Sequence, residues 1–272
     1  MKTVDRMLIF DVDGVITDPQ EKKITEPEIL SFIVGRLEKG EPVALNTGRS
    51  LFWLINQVIN PLLKIKRNKK SLQNFFASGE KGAVWLTINE NGSIQQYKDS
   101  NISTPTFLQN QIRTLIKTKY SKSMFYDESK VGTLISVEMN DGYSIEEYKK
   151  EQKTLAKELQ KILVENNLEK ILKVDSTTIA VDIENKQVGK GFAINRILKW
   201  LEEKEIKPQQ FITFGDSSSD IPMAEKLHKM NLKVKLVFVG EEGKLKGKTY
   251  PFPVIFTKEV FEKGTLEFLR TL

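Results

Sequence analysis

The sequence predicts an α/β protein in which a parallel-sheet core, formed by residues 1–81 and 187–272, is interrupted by an α+β domain at 82–186. Short apolar segments alternate with helical segments in both end regions, as in successive strand–helix–strand units. The middle region instead contains Asn91-Gly92, a strong signal for an antiparallel hairpin. A chain of 272 residues is also long enough for two domains.

The first predicted strand is the apolar segment Leu8–Phe10, and two carboxylates, Asp11 and Asp13, follow it directly. Gly14 comes next and allows the backbone to turn sharply. Ligands of open parallel sheets bind at the carboxyl ends of the strands, so both acids are expected at the mouth of a site. Two acids this close repel each other unless a cation binds or one of them is protonated, and both conditions are typical of catalytic sites.

A helix and a second strand–helix unit are predicted next. Thr25 and Glu28 have the spacing of a capping box ahead of an apolar-periodic segment. Residues 42–45 form a short apolar strand that ends in the polar sequence Asn-Thr-Gly-Arg at 46–49. A helical pattern follows at 51–63 and a third strand is predicted at 74–78, which extends the parallel sheet.

The inserted domain has a different pattern. A helix is predicted at 107–120, and apolar and polar residues alternate at 133–139, which indicates a strand with one solvated face. Ser144 and Glu147 form a second capping box at the start of a long helix. Two further short strands are predicted at 172–176 and 177–183.

The parallel pattern then resumes. Lys190 lies at the start of a helix that extends through 192–201, and Pro208 is expected to break the chain before an apolar strand at 211–214. That strand ends in Gly-Asp-Ser-Ser-Ser-Asp at 215–220. A helix at 221–230, a strand at 234–240 and a helix at 260–272 complete the chain.

Composition excludes several kinds of active site. The chain has no cysteine and one histidine, His228, so thiolate sites, disulfides and histidine-based triads are not expected. The net charge of +6 is spread among acids, so we expect neither nucleic acid nor a membrane as partner. A reducing, cytoplasmic location and a monomer or homodimer are expected.

Polar clusters end three of the predicted strands, and a lysine opens a helix: Asp11 with Asp13, Thr47 with Arg49, Asp216 with Asp220, and Lys190. If sheet topology brings these ends together, the set suits phosphoryl transfer, which needs a nucleophile, an acid/base, a hydroxyl, a cation and magnesium.

The sequences Phe-Asp-Val-Asp-Gly-Val-Ile-Thr at 10–17, Asn-Thr-Gly-Arg-Ser at 46–50, Gly-Lys-Gly at 189–191 and Gly-Asp-Ser-Ser-Ser-Asp-Ile-Pro-Met at 215–223 occur in this order. They resemble the four motifs of the haloacid dehalogenase (HAD) superfamily of phosphatases. The insert resembles that of the Cof-like subgroup with its large cap, near the sucrose- and mannosyl-3-phosphoglycerate phosphatases. The resemblance implies a Rossmann-like core with an inserted cap domain that shields the reaction and selects the leaving group.

By this resemblance, Asp11 is the nucleophile that becomes an aspartyl-phosphate, and Asp13 protonates the leaving oxygen and then activates water. Mg²⁺ would be bound by Asp11, by the backbone carbonyl of Asp13 and by Asp216. Asp220 would either support these ligands or reach the metal directly. Oxygen ligands of this kind suit magnesium.

The resemblance also assigns substrate binding to Thr47, Gly48, Arg49 and Lys190. Thr47 would donate a hydrogen bond to the transferring group, and Lys190 would neutralise its charge. Arg49 would contact phosphate or orient the loop. Ser219 departs from the pattern, because the Cof-like motif has asparagine there.

The function predicted from the sequence is therefore magnesium-dependent hydrolysis of a small phosphorylated metabolite, with a sugar phosphate favoured. Two alternatives stay open. The early Phe-Asp-Val-Asp-Gly sequence also resembles phosphomannomutases, which would isomerise a hexose phosphate. A non-catalytic relative that binds phosphate is the other alternative.

Overall fold

The computed structural model describes residues 1–65, 68–245 and 247–272 and contains two sheets. The strands are β1 (Lys2–Phe10), β2 (Val43–Asn46), β3 (Phe75–Gly79), β4 (Val84–Ile88), β5 (Ile94–Lys98), β6 (Met124–Tyr126), β7 (Ile135–Met139), β8 (Leu172–Ser176), β9 (Ala180–Asn185), β10 (Ile206–Gly215), β11 (Val234–Phe238) and β12 (Val254–Phe256). The α-helices are α1 (Glu28–Glu38), α2 (Leu51–Leu54), α3 (Asn60–Lys64), α4 (Thr106–Leu115), α5 (Ile145–Glu165), α6 (Lys190–Glu203), α7 (Ile221–Lys229) and α8 (Phe261–Leu269).

The larger sheet has eight strands in the order β12-β11-β10-β1-β2-β3-β4-β5. Neighbouring strands from β12 to β3 run parallel, whereas β4 and β5 are antiparallel additions at one edge. The carboxyl ends of β1, β2 and β10 therefore lie at the same edge of the sheet. The α/β class predicted from the sequence is confirmed.

Strand β1 lies in the middle of this sheet, and its second half, residues 7–10, is buried on both faces. Leu8 and Phe10 pack into one hydrophobic cluster, and Met7 and Ile9 pack into another on the opposite face. A segment between two apolar layers has no polar face, so this half of the strand is continuously apolar. The first polar side chain after it, Asp11, comes at the point where the strand ends.

Pro208 does not break the chain, contrary to the prediction. It lies inside β10, which begins at Ile206, and pairs with Val4 of β1. Strand β11 pairs with β10 only from Phe211 onward, so Pro208 borders a neighbouring strand on one side. A proline is tolerated there because its missing N–H removes no bond of the ladder.

Two compact units are found, and their boundary differs from the predicted one at residue 82. The core unit comprises Met1–Lys98 and Gly189–Leu272, and the inserted unit comprises Asp99–Val188. The hairpin of β4 and β5 belongs to the core unit, because β4 pairs with β3 along the edge of the large sheet. The Asn91-Gly92 hairpin signal therefore marks strands that extend the core sheet, and the insert begins only after them.

The inserted unit is a four-stranded antiparallel sheet, in the order β6-β7-β9-β8, with α4 and α5 packed on one face. Its hydrophobic cluster includes Tyr148 and Leu155 of α5 and Val137 and Ile183 of the sheet. The long helix begins as predicted, because the Ser144 side chain accepts a hydrogen bond from the backbone N–H of Glu147. Strand β6 was not predicted from the sequence, since it has only three residues.

The predicted capping box of α1 is wrong. Pro27 occupies the N-cap position and no side chain caps the helix. The Thr25 hydroxyl instead donates to the Glu262 carboxylate of α8, at 3.0 Å. The Thr25 side chain therefore makes a tertiary contact with α8 and does not cap α1.

Over the described part of the chain, no helix combines the length and apolar character that a membrane crossing requires.

The inserted unit should be removable without unfolding the core unit. Lys98 pairs with Val84, and the backbone N–H of Gly189 donates to the carbonyl of Lys81, so a short linker can join residues 98 and 189. We expect this variant to unfold cooperatively in a denaturant titration followed by circular dichroism. Removal of 82–186 is the matched control, and we expect it to be destabilised because it exposes the edge of β3. A non-cooperative transition in the first variant would contradict the division at residue 99.

Candidate functional site

The acidic residues of the first and fourth motifs meet at the carboxyl edge of the core sheet. Asp11 follows β1, and its backbone N–H donates to the carbonyl of Phe214 in β10 at 3.1 Å. Asp216 follows β10. Gly14 has a φ of +71°, and a Cβ atom at this position would lie 2.9 Å from Cγ of Asp216. The glycine of the first motif is therefore required both by its backbone conformation and by the closeness of Asp216.

Asp11, Asp216 and Asp220 form a cluster in which one carboxylate oxygen from each lies within 4.8 Å of the others. Burial, followed by the charge of Asp220, raises the pKa of Asp11 well above its ordinary value. The same two causes raise the pKa of Asp216 to about 6. Converging carboxylates with raised pKa values are costly to ionise without a compensating cation.

Lys190 supplies part of that compensation. Its ammonium group contacts carboxylate oxygens of both Asp11 and Asp220, and its side chain is 10% exposed. Burial alone would lower the pKa of Lys190, but the charges of Asp11 and Asp220 raise it above its ordinary value. Lys190 is therefore a permanently charged group between two acids.

Asp220 organises the loop that carries Asp216. Its side chain is fully buried, and Oδ2 accepts hydrogen bonds from the backbone N–H groups of Asp216 and Ser217, each at 3.0 Å, and from the Ser217 hydroxyl at 3.1 Å. Ser219 lies beside this network, with its hydroxyl 2.8 Å from that of Ser217. A carboxylate with this many donors is well suited to holding a loop in place.

The second motif forms a loop at the end of β2. Thr47 is buried, its N–H donates to the carbonyl of Ser78, and its hydroxyl oxygen accepts the N–H of Arg49 at 3.2 Å. The hydroxyl therefore keeps its own proton available for a ligand oxygen. Gly48 lies between these two residues, and the stem of Lys81 passes close to it.

Asp13 lies apart from the acidic cluster and pairs with Arg49. Nε of Arg49 donates to Oδ2 of Asp13 at 3.0 Å, and Nη2 donates to Oδ1 at 2.9 Å. The Arg49 guanidinium also stacks over the ring of Trp53. The sequence did not predict this bidentate pair, which gives Arg49 a contact with the expected acid/base.

The expected site residues thus form two connected groups. Asp11, Asp216 and Asp220 form the acidic cluster, and Lys190 contacts the first and last of them. Asp13 is joined to the loop of the second motif through Arg49. Two nearby groups were not identified from the sequence: Asn46, whose amide reaches the backbone of Lys190, and Lys244, whose ammonium lies 4.0 Å from Asp216. Asn46 is the first residue of the second motif, but the sequence assigned it no role, and Lys244 carries no sequence signal.

The acidic cluster fits a divalent cation of the magnesium type. Its potential ligands are carboxylate oxygens, which are hard donors, and the described residues include no cysteine. The side chain of Asp13 is paired with Arg49. Coordination by the backbone carbonyl of Asp13 stays a prediction.

The raised pKa of Asp216 gives a testable dependence of stability on pH. In metal-free protein the folded state holds the proton of the Asp216 carboxyl more tightly than the unfolded state does. This proton therefore adds to the free energy of unfolding below pH 4, and its contribution is lost as pH rises through about 6. We expect Asp216→Asn to stabilise the fold relative to wild type by an amount that grows to roughly 3 kcal/mol by pH 7. Urea titrations in EDTA at several pH values measure this difference. A difference that does not change with pH would contradict the proposed cost of ionising Asp216.

Comparisons with known proteins give one family match and several structures with a similar fold. A family model described as the C-terminal domain of trehalose-6-phosphate phosphatase matches residues 131–252. Comparison with curated proteins gives no match.

Several solved structures share the fold. The C-terminal domain of trehalose-6-phosphate phosphatase from C. albicans has a TM-score of 0.68 and 17% identity, over 98% of this chain and 92% of that chain. Sucrose-phosphatase from Synechocystis, solved with sucrose and phosphate, has a TM-score of 0.56 and 16% identity, over 97% and 96%. A Thermoplasma acidophilum protein has a TM-score of 0.57 and 14% identity, over 98% and 97%.

Identities this low establish a shared fold. The two relatives whose activity is named are phosphatases of phosphorylated sugars, and phosphoric monoester hydrolase is the enzyme class that the sequence predicts.

Proposed function

We propose that this chain, a member of the haloacid dehalogenase superfamily, is a magnesium-dependent phosphatase that hydrolyses a small sugar phosphate through an aspartyl-phosphate on Asp11. The observation that carries the proposal is the cluster of Asp11, Asp216 and Asp220 with Lys190 at the carboxyl edge of a parallel sheet. A structural ion pair would need neither three converging acids, two of them buried, nor the adjoining loop of Thr47.

Asp11 is suited to attack phosphorus because one of its oxygens contacts Lys190, which favours the charged carboxylate. When bound, Mg²⁺ would favour ionised Asp11 and Asp216 and would compensate charge on the phosphoryl oxygens. Thr47 would donate its hydroxyl proton to one of those oxygens, and the N–H groups of the same loop would orient the others. Asp220 would keep the Asp216 loop and Lys190 in place.

Asp13 is the proposed acid/base. It would protonate the oxygen of the leaving alcohol and later take a proton from the water that hydrolyses the aspartyl-phosphate. Its pairing with Arg49 has to be released or rearranged before it can reach a substrate oxygen. The positive charge of Arg49 would then be available to the phosphate, which combines the two roles expected for this residue.

A sugar is the proposed leaving group, on the basis of the relatives. The named relatives include phosphatases of trehalose 6-phosphate and sucrose phosphate.

The proposal is tested by a product assay on purified protein with trehalose 6-phosphate, sucrose 6-phosphate and hexose phosphates. Release of inorganic phosphate together with the free sugar is the expected result. An isomeric hexose phosphate without free phosphate would instead indicate a mutase. Absence of any turnover, with phosphate still bound, would indicate a non-catalytic relative.

Activity should require a divalent cation. Three carboxylates that converge without one repel each other, so we expect EDTA to abolish phosphate release and Mg²⁺ to restore it. Because Asp216 has a pKa of about 6 in the absence of metal, a proton competes with the metal, and the Mg²⁺ concentration for half-maximal rate should rise steeply below pH 6. Full activity after exhaustive chelation would contradict the metal site.

A further inference from the structure

Asn46, the last residue of β2, makes a direct contact with the helix that carries Lys190. The Asn46 side chain is fully buried, and its Nδ2 donates to the backbone carbonyl of Lys190 at 2.9 Å. The other end of the amide, Oδ1, is also buried and has no hydrogen-bond partner among the described residues. A buried acceptor without a partner costs free energy, so an apolar residue would be favoured here unless the donor is used.

The start of α6 has little other support of this kind. Its N-cap residue is Gly189, which provides no side-chain cap. A backbone connection also joins it to this region: Gly189 N–H donates to the carbonyl of Lys81, and Lys81 N–H donates to the carbonyl of Thr47. The Asn46 amide therefore connects the second motif directly to the backbone of Lys190.

The placement of this backbone matters because the Lys190 ammonium lies between two acids, Asp11 and Asp220. If the first turn of α6 shifted, the ammonium would move toward one acid and away from the other. A displacement of about 1 Å in a catalytic group is enough to reduce the rate roughly 100-fold.

We propose that Asn46 is a positioning residue for Lys190, which fixes the ammonium group at the Asp11 carboxylate and the bound phosphoryl group. The inference rests on the proposed function, since it assigns Asn46 a part in the same site. Asn46 itself contacts neither the substrate nor the reacting atoms in this role.

The test is a double-mutant cycle of Asn46→Leu and Lys190→Ala, with kcat, KM and the affinity for inorganic phosphate as readouts. Leucine has a similar shape but no N–H donor. We expect Asn46→Leu to lower kcat about 10- to 100-fold and to weaken phosphate binding, with KM changed less than kcat. In the Lys190→Ala background the same substitution should change each quantity less than about twofold, because there is no ammonium left to position.

Ser78→Ala is the matched control. Ser78 is opposite Asn46 in the β2–β3 register, is equally buried, and its hydroxyl also lacks a partner among the described residues. Its substitution removes a neighbouring polar atom without touching Lys190, so kcat and phosphate affinity should stay at wild-type values. Melting temperatures of all variants distinguish an unfolded protein from one in which only the Lys190 ammonium is displaced.

The outcomes separate this inference from the proposed function. Equal effects of Asn46→Leu in the wild-type and Lys190→Ala backgrounds would overturn the positioning role and leave the phosphatase proposal intact. Phosphate binding that shows the expected coupling in a protein without turnover would support the positioning role and overturn the phosphatase proposal. A wild-type protein that neither binds phosphate nor releases it would overturn both.

Discussion

Asp11→Asn should abolish phosphate release, with kcat lowered by about 10⁴-fold or more. An amide cannot attack phosphorus and offers no negative charge to Mg²⁺ or Lys190. The measurement is steady-state release of inorganic phosphate from the best substrate of the product assay. Asp5→Asn is the matched control, because Asp5 lies on the same strand but is exposed and far from its carboxyl end. That control should keep wild-type activity.

The same substitution should not weaken the fold. Burial and the charge of Asp220 raise the pKa of Asp11, which shows that its ionised form is costly in the metal-free protein. Asparagine removes that charge, so we expect a melting temperature equal to or above that of wild type in EDTA. An inactive variant with normal stability identifies a chemical role. Activity within tenfold of wild type would remove Asp11 as the nucleophile.

Asp13→Asn should impair the enzyme to an extent that depends on the leaving group. A general acid matters most when the departing oxygen would otherwise leave as a poorly stabilised alkoxide. We therefore expect a loss of about 10²- to 10⁴-fold in the first half-reaction with a sugar or alkyl phosphate, and a much smaller loss with para-nitrophenyl phosphate. Rapid-quench measurement of the released alcohol or phenol, with each substrate, gives the two rates.

Arg49→Gln is the matched variant for this experiment, because it removes the partner of Asp13 without removing the acid. We expect it to affect both substrates to a similar degree, since its proposed role is to contact phosphate and orient Asp13. Equal losses on both substrates in Asp13→Asn would confine Asp13 to binding and would remove it as the acid/base.

The sequence was sufficient to predict much of the core unit. Strand β2 and the carboxyl-terminal parts of β1, β10 and β11 are buried on both faces, and apolar segments that end in polar residues are a direct consequence. The order of the strands then follows from short connections in a parallel sheet. For the same reason the acids of the first and fourth motifs were expected to meet.

Several features could not be predicted because they depend on tertiary contacts. The hairpin of β4 and β5 has a local sequence signal for antiparallel pairing, but no local sequence feature indicates that β4 also pairs with β3. Pro208 is acceptable only because β11 begins pairing farther along. Thr25 finds Glu262 on a helix that is distant in sequence, in place of a local cap.

In the site, too, some features were predictable from the sequence and others depend on tertiary contacts. Residue types and spacing gave Asp11, Asp216 and Lys190, and their contacts agree with the expected grouping. The pairing of Asp13 with Arg49 and the donation from Asn46 to Lys190 are properties of side-chain direction, which a motif does not encode. Lys244 reaches Asp216 from the segment after β11, where no motif is present.

The proposed covalent mechanism is tested most directly by detection of the phosphorylated intermediate. Asp13→Asn mixed rapidly with para-nitrophenyl phosphate and Mg²⁺ should release a burst of nitrophenol, because the phosphoryl group leaves the phenol readily but water is no longer activated. After acid quench and proteolysis, mass spectrometry should find one phosphoryl group on the peptide that contains Asp11, in an amount equal to the burst. A burst without phosphorylation of Asp11, or turnover without any burst, would contradict the covalent mechanism.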